Sequence, residues 1–289
     1  MLSSPHALTL TVCAGRHALN SLRGVIYENI RSQVKNSRRG FDAVEVLVVA
    51  LLTGVLAYAS GAHSGRSTPS DNSELTGLAE RYGPSRHSEH AEEWIIRDFF
   101  QGKRDGVFLD VGAYDYQRLS NTYYLETELG WSGVAVEPQV KFAADYLRYR
   151  PRTTFVPVFA SDRSDGSVTL HIAPQVDTQA SSSDAVAAAN HSTEHVPVST
   201  ATLDDVLDRL GTAKIDFMTL DVELAEPVAL RGFSIDRFRP ALVCVEAHEE
   251  VRQAILDYFA RHAYTVIGRY LRADQTNLWF QPLPAPDGR

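Results

Sequence analysis

The chain is poor in the residues that would make several functions easy to read. It has two cysteines in 289 residues, Cys13 and Cys244. A disulfide scaffold or a thiolate metal centre needs grouped cysteines, and these two lie far apart in unrelated contexts. Lysine and arginine number 28 against 36 aspartates and glutamates, giving a net charge of −8. No basic stripe with interleaved aromatics occurs, which argues against a nucleic-acid partner held by phosphate contacts. Glycine is scarce where nucleotide-binding folds concentrate it: VFLDVGAYDYQ, Val107 to Gln117, carries Gly112 alone. Long apolar runs are missing too. The best is Val44 to Ala59, VEVLVVALLTGVLAYA, at the short edge of the roughly 17–25 residues that cross a bilayer as a helix.

That run follows Arg31, Lys35, Arg38 and Arg39 and precedes SGAHSGRSTPSDNS, which has the composition of a flexible linker. We read residues 1–40 as a basic tail, 41–60 as a transmembrane or signal segment, 61–80 as a linker and 81–284 as the working domain. The basic flank favours a membrane anchor through residues 44–59. A cleaved export signal is one alternative: Ser37-Arg38-Arg39-Gly40-Phe41 is similar to a twin-arginine motif, and Ala57-Tyr58-Ala59 to a small-residue cleavage site. A buried or amphipathic helix, or a mis-assigned start, is another. The expected location is membrane-associated, with cytoplasmic as the alternative.

After residue 90 the pattern changes to alternating strands and helices, which predicts an α/β domain around a mostly parallel sheet. AEEWIIRDFF has helical spacing. VFLDVGA, GVAVEP, TTFVPVFASD, IDFMTLDVE and PALVCVEAH read as strands one to five, and YTVIGRY with NLWFQP as a closing pair. SNTYYLETEL, KFAADYLRYR and VRQAILDYFARHA read as helices, the first ending at Gly130. Thr202 is the expected cap of another. SVTLHIA alternates with period two, as an antiparallel hairpin element would. Pro174 to His195 shows no period and reads as a mobile loop that shapes an acceptor pocket.

What the chain does have is an acid at the end of each of these five strands. Asp110, Glu137, Asp162, Asp221 with Glu223, and Glu246 with His248 form one rim if the sheet is parallel. Ligands of open parallel sheets bind beyond that rim. Glu137 lies one strand–helix–strand unit after Asp110, where a carboxylate can accept from both hydroxyls of an adenosine ribose. Nicotinamide dinucleotides and S-adenosylmethionine both carry that ribose. A pyrophosphate needs a glycine-rich turn at a helix N-terminus, and Asp110 and Asp115 would repel it. One glycine among acids suits the phosphate-free, cationic cofactor. Plainer readings stand beside these: Asp110 as a helix cap, Glu137 as a solvated strand end, Asp162 as a turn residue and His248 as a surface histidine. Asp221 and Glu223 would point to the same side of a strand, an arrangement that repulsion disfavours without a function.

These residues, in this order from about Ser88 to Pro282, resemble the FkbM-type methyltransferases. The likeness is carried by VFLDVGA with SNTYYLE, GWSGVAVEP, VSTATLDDVL, IDFMTLDVELAE, PALVCVEAH and a late NLWF. The resemblance implies a Rossmann-like seven-stranded sheet with an antiparallel last strand. It implies methyl transfer from S-adenosylmethionine to a hydroxyl of a small molecule, sugar, glycan or polyketide-like acceptor. It places Asp110, Gly112 and Ala113 near the methionine moiety, Glu137 on the ribose, Ser161 and Asp162 on the adenine side, and Asp221 and Glu223 facing the methyl. His248 and Asp221 are the candidate general bases. Asp221, Glu223, Glu246 and His248 would suit a metal if strands four and five are neighbours, but no metal is expected.

Two positions depart from the family pattern. Tyr114 stands where the family reads Asn, and Leu224 where it reads Gly. If that glycine has a left-handed conformation, the turn at Leu224 is strained. These departures motivate a rival reading, a membrane-tethered binding protein derived from such an enzyme.

Overall fold

The computed structural model of the chain describes residues 73–284, apart from 85, 174–175, 184–187 and 189–193. The apolar run 44–59 lies outside the described residues. Among the described residues no helix is long and apolar enough to cross a membrane.

Two helices lead in. Helix α1 (Ser73–Tyr82) falls inside the stretch read as a linker, and its Leu78 is buried in a cluster with Trp94, Ile95 and Ile96 of α2 (Glu92–Phe100). Asp98 of α2 ties the pair, accepting from Arg81 at 2.9 Å and from the Tyr82 hydroxyl at 3.3 Å. The linker composition of residues 61–80 therefore gives way to helix at Ser73. Polar residues cover its outer face, and only its Leu side packs.

Strand β1 (Val107–Val111) sets the plan of the domain by alternation. Phe108 packs with α2, while Leu109 and Val111 join the core on the other face. Then follow α3 (Tyr123–Leu129), β2 (Ser132–Val136), α4 (Ala143–Tyr149) and β3 (Thr153–Val156). Gly130 ends α3 at φ 72°, the left-handed cap that its position predicts. Strands β1 to β3 pair in parallel. Five side chains that are fully buried between sheet and helices, Trp131, Trp279, Phe108, Phe217 and Phe259, each contribute on the order of 1.5–3 kcal/mol relative to exposure.

The third strand is shorter than TTFVPVFASD suggests. Pro157 has no N–H to give a ladder, and the chain leaves the main sheet there. Phe159–Ala160 forms β4 in a second sheet with β5 (Ser167–Ala173), β6 (Val176–Ser181) and β7 (Glu194–Ala201), in the order β4-β7-β5-β6. SVTLHIA is the antiparallel element expected, paired with both β6 and β7. The stretch from Pro174 to His195, read as a mobile loop, contains β6 and the start of β7.

Helix α5 (Leu203–Arg209) begins at Thr202, whose hydroxyl accepts from the Asp205 N–H at 3.1 Å, as a cap should. The main sheet then resumes with β8 (Phe217–Leu220). Helices α6 (Glu226–Arg231) and α7 (Ile235–Phe238) precede β9 (Leu242–Glu246), and α8 (Glu249–Arg261) precedes β10 (Tyr264–Val266) and β11 (Asn277–Pro282). The seven-stranded order is β10-β11-β9-β8-β1-β2-β3. Only β11 runs antiparallel to its neighbours. The fold is thus the Rossmann-like, mostly parallel sheet with an antiparallel last strand that the resemblance implies. The order turns between β1 and β8, so the carboxyl ends of β1, β2, β8 and β9 surround one crevice.

Candidate active site

Gly112 opens the crevice. Its φ is 83°, and a Cβ there would sit 1.6 Å from the Asp221 carbonyl oxygen, so only glycine lets the loop after β1 lie against the end of β8. The Gly112 and Ala113 N–H groups both donate to the Val136 carbonyl, at 2.9 and 3.2 Å. Ala113 is turned away from the crevice into a cluster with Tyr114, Phe142 and Tyr146, and its carbonyl accepts from the Tyr146 hydroxyl. The next residue, Tyr114, has φ 50°. An Asn tolerates that conformation better than a Tyr does, and the Tyr114 ring is held edge-on to Phe142, centroids 4.8 Å apart.

Glu137 follows β2 and lines the crevice. Its carboxylate accepts from the Tyr114 N–H at 3.2 Å and the Gln139 N–H at 2.8 Å. Burial pushes its pKa up to about 7, against those two backbone donors. Lone pairs remain for further donors. Gln139 was not foreseen from sequence. It is buried in the same wall, and its Oε1 has no hydrogen-bond partner.

Asp110 was expected at the cofactor, but it does not line the crevice. Alternation turns it to the face that Phe108 occupies, where it accepts from the Thr122 hydroxyl at 2.6 Å. Burial raises its pKa to about 6. Thr122 in turn accepts from Arg150, a fully buried guanidinium that also holds Glu126 at 2.6 Å and the Tyr116 carbonyl at 2.8 Å. Asp110 thus belongs to a network that fixes the loop from behind. Nor does Asp110 cap α3 itself: it bonds the side chain of Thr122, the residue before that helix. Ser161 and Asp162 also lie outside the crevice lining. The turn at Pro157 carries them past it: Ser161 N–H bonds the Ala201 carbonyl, and Asp162 pairs with Arg231 at 3.2 Å on the surface. Val158, Phe159 and Ala160 line that wall instead.

The opposite wall is acidic. Asp221, Glu223 and Glu246 open onto the crevice, joined by Glu89 from the turn before α2 and Glu92 at its first position. Asp221 and Glu223 do not share a strand face as expected. Strand β8 stops at Leu220, and Glu223 and Leu224 take left-handed φ values of 54° and 74°. This turn lets Glu226, wholly buried, accept from the Val222 N–H at 3.0 Å. His248 lies at the outer rim, its Nε2 3.1 Å from Glu246 Oε2 and 4.0 Å from Glu223 Oε2. Burial, with mutual repulsion second, raises the pKa of Glu223 to about 7. Burial likewise raises Glu226 to about 7. Asp221 is raised as well, although it keeps solvent contact, and Glu246, where burial is joined by Asp221 and Glu223, is pushed up to about 10. Glu226 stands in the quoted DVELAE, but as a helix-opening acid it gave no separate signal.

Among the described residues the lining contains no Lys or Arg. Such a wall repels a pyrophosphate and accommodates a sulfonium and an ammonium, so the residues present fit S-adenosylmethionine. Sheet order, glycine turn and the acid after β2 are those of a Rossmann-like fold suited to S-adenosylmethionine. A methyltransferase FkbM domain matches residues 110–266, more than half of the chain. The chain belongs to the FkbM methyltransferase family.

No curated relative matches the sequence. Among solved structures the chain is similar to a 1,6-didemethyltoxoflavin-N1-methyltransferase of Burkholderia thailandensis, with 1,6-didemethyltoxoflavin and S-adenosylhomocysteine bound. That pair shares 12% identity and a TM-score of 0.33 over 85% of this chain and 91% of the other. An O-methyltransferase of Bacillus cereus in complex with SAH has 12% identity and a TM-score of 0.35, over 77% and 94%. A precorrin-6y C5,15-methyltransferase of Geobacter metallireducens has 12% identity and a TM-score of 0.37, over 65% and 83%.

Proposed function

We propose that the enzyme methylates a hydroxyl oxygen of an uncharged small molecule, a sugar, glycan or polyketide-like acceptor. The observation that carries this reading is the acidic wall of Asp221, Glu223 and Glu246 beside the crevice, with no Lys or Arg among the described lining residues to hold an acceptor phosphate or carboxylate. The cofactor, when bound, supplies an electrophilic methyl group on a sulfonium. The chain's own residues do the rest. Gly112 lets the loop after β1 close against β8 at the crevice, where Glu137 would hold the ribose hydroxyls and Gln139 would offer an acceptor to the adenine edge. Asp221 and Glu223 favour positive charge where the methyl is delivered.

The acceptor hydroxyl loses its proton as the new C–O bond forms and the C–S bond breaks. His248, which lies 3.1 Å from Glu246, or Glu223, whose pKa of about 7 suits neutral solution, takes that proton. Positioning supplies much of the remaining rate. Replacing His248 with Ala should leave S-adenosylhomocysteine binding intact and lower turnover by about 10²–10⁴-fold, the usual contribution of a general base. Full turnover in that variant, with Glu223→Gln inactive, moves the role to Glu223. Full turnover in both removes this proton path.

A further inference from the structure

Three carboxylates converge in the acidic wall, Asp221 exposed, Glu246 half-buried and Glu226 wholly buried. Asp221 follows β8 and Glu246 ends β9, and the parallel register Leu220↔Val245 sets the two acids side by side. Glu226 reaches them from the first position of α6. One oxygen from each lies within 4.8 Å of the others. Protons alone can neutralise such a cluster, so proximity by itself decides nothing.

Glu226 supplies the independent observation. The residue is 0% exposed, its Oε1 accepts from Val222, and its Oε2 has no hydrogen-bond partner. Glu246 Oε2 is in the same condition: its 3.1 Å approach to His248 lacks hydrogen-bond geometry. A buried oxygen without a donor is costly, and more so if charged. The strained turn at Glu223 and Leu224 is what brings Glu226 inward, so the chain holds this costly group in place rather than letting it reach solvent.

We propose that Asp221, Glu226 and Glu246 together seat a divalent cation of the oxygen-preferring class, magnesium or manganese. Three carboxylates leave positions for water or an acceptor oxygen, the arrangement in which these ions are usually held. The neighbouring set of Glu223, Glu246 and His248 also converges within 4.8 Å, but its imidazole nitrogen suits zinc better. The two sets share only Glu246, so single substitutions separate them. The inference reverses the sequence expectation of no metal and does not depend on which acceptor is methylated.

The test is a titration of Mn²⁺ into the full-length protein, read by the electron paramagnetic resonance of free Mn²⁺, with circular dichroism confirming that each variant is folded. One saturable site is expected below millimolar concentration. Glu226→Gln should weaken it by at least about ten-fold, since even an outer partner of a metal is worth that much. His248→Ala and the exposed Glu250→Gln should leave it unchanged. If Glu226→Gln does not fold, Asp221→Asn carries the same expectation. A folded wild-type protein that binds no Mn²⁺ overturns the proposal. So does wild-type affinity in Glu226→Gln, or loss of the site in His248→Ala. S-adenosylhomocysteine binding, measured alongside without metal, reports on the methyltransferase reading separately.

Discussion

Asp110 shows how a single acid at a strand end can serve the fold rather than the ligand. Its carboxyl is buried and held by Thr122, and its folded pKa is about 6 against an ordinary 3.8. Between those values the folded chain keeps a proton that the unfolded chain has released. Stability from this group is therefore full below pH about 4 and falls as pH rises through 6, by up to about 3 kcal/mol at 1.36 kcal/mol per unit. Replacing Asp110 with Asn should flatten that part of the stability–pH curve, measured by urea unfolding at pH 4, 5, 6 and 7. An unchanged slope would mean that Asp110 is solvated. Other residues were less legible. The crevice lining of Gly112, Glu137, Asp221 and Glu223 follows from strand ends and one glycine. Arg150, Gln139 and Glu226 do not, because their importance lies in what buries them, and burial of a polar side chain has no local sequence signature.

At the scale of elements, the turn after β8 is where the chain departs most from regular geometry. Leu224 holds φ 74° at the position where the family pattern has glycine, and Glu223 beside it holds 54°. A left-handed conformation costs a residue with a Cβ roughly 1–2 kcal/mol. Ala ordinarily outranks Gly in stability, since Gly loses more freedom on folding. Here the order should invert: Leu224→Gly should be more stable than Leu224→Ala by about 1 kcal/mol in thermal or urea unfolding. The comparison cancels the loss of the leucine side chain, and the ordinary order would show that the turn is unstrained. The sequence located this turn and its departure from pattern. It could not show that Asp221 and Glu223 leave the strand, because a strand-ending acid and a turn acid look alike. Strand three misled for a similar reason. Pro157 is compatible with a strand end, and only pairing with β7 reveals that Phe159 and Ala160 belong to another sheet.

At the scale of the whole molecule, the order β10-β11-β9-β8-β1-β2-β3 brings four strand ends to one crevice. Alternating strands and helices predict the parallel sheet, and the resemblance adds the antiparallel last strand, but the order comes from the structure, since no local signal says which strands pair. The second sheet was half legible: SVTLHIA alternates plainly, whereas β6 lies in a stretch with no period. The N-terminal segment, with its basic flank and run 44–59, lies outside the described residues, and the anchor remains an expectation of the sequence.

The central claim is that this crevice is built for S-adenosylmethionine, with Glu137 on the ribose. Calorimetric titration of S-adenosylhomocysteine and of NADH into the full-length protein tests it most directly. The account predicts one site for S-adenosylhomocysteine and no heat from NADH. It further predicts that Glu137→Gln weakens the first by about 10–100-fold, the worth of a hydrogen bond to a charged group. Binding of NADH with no response to S-adenosylhomocysteine, or wild-type affinity in Glu137→Gln, would contradict it.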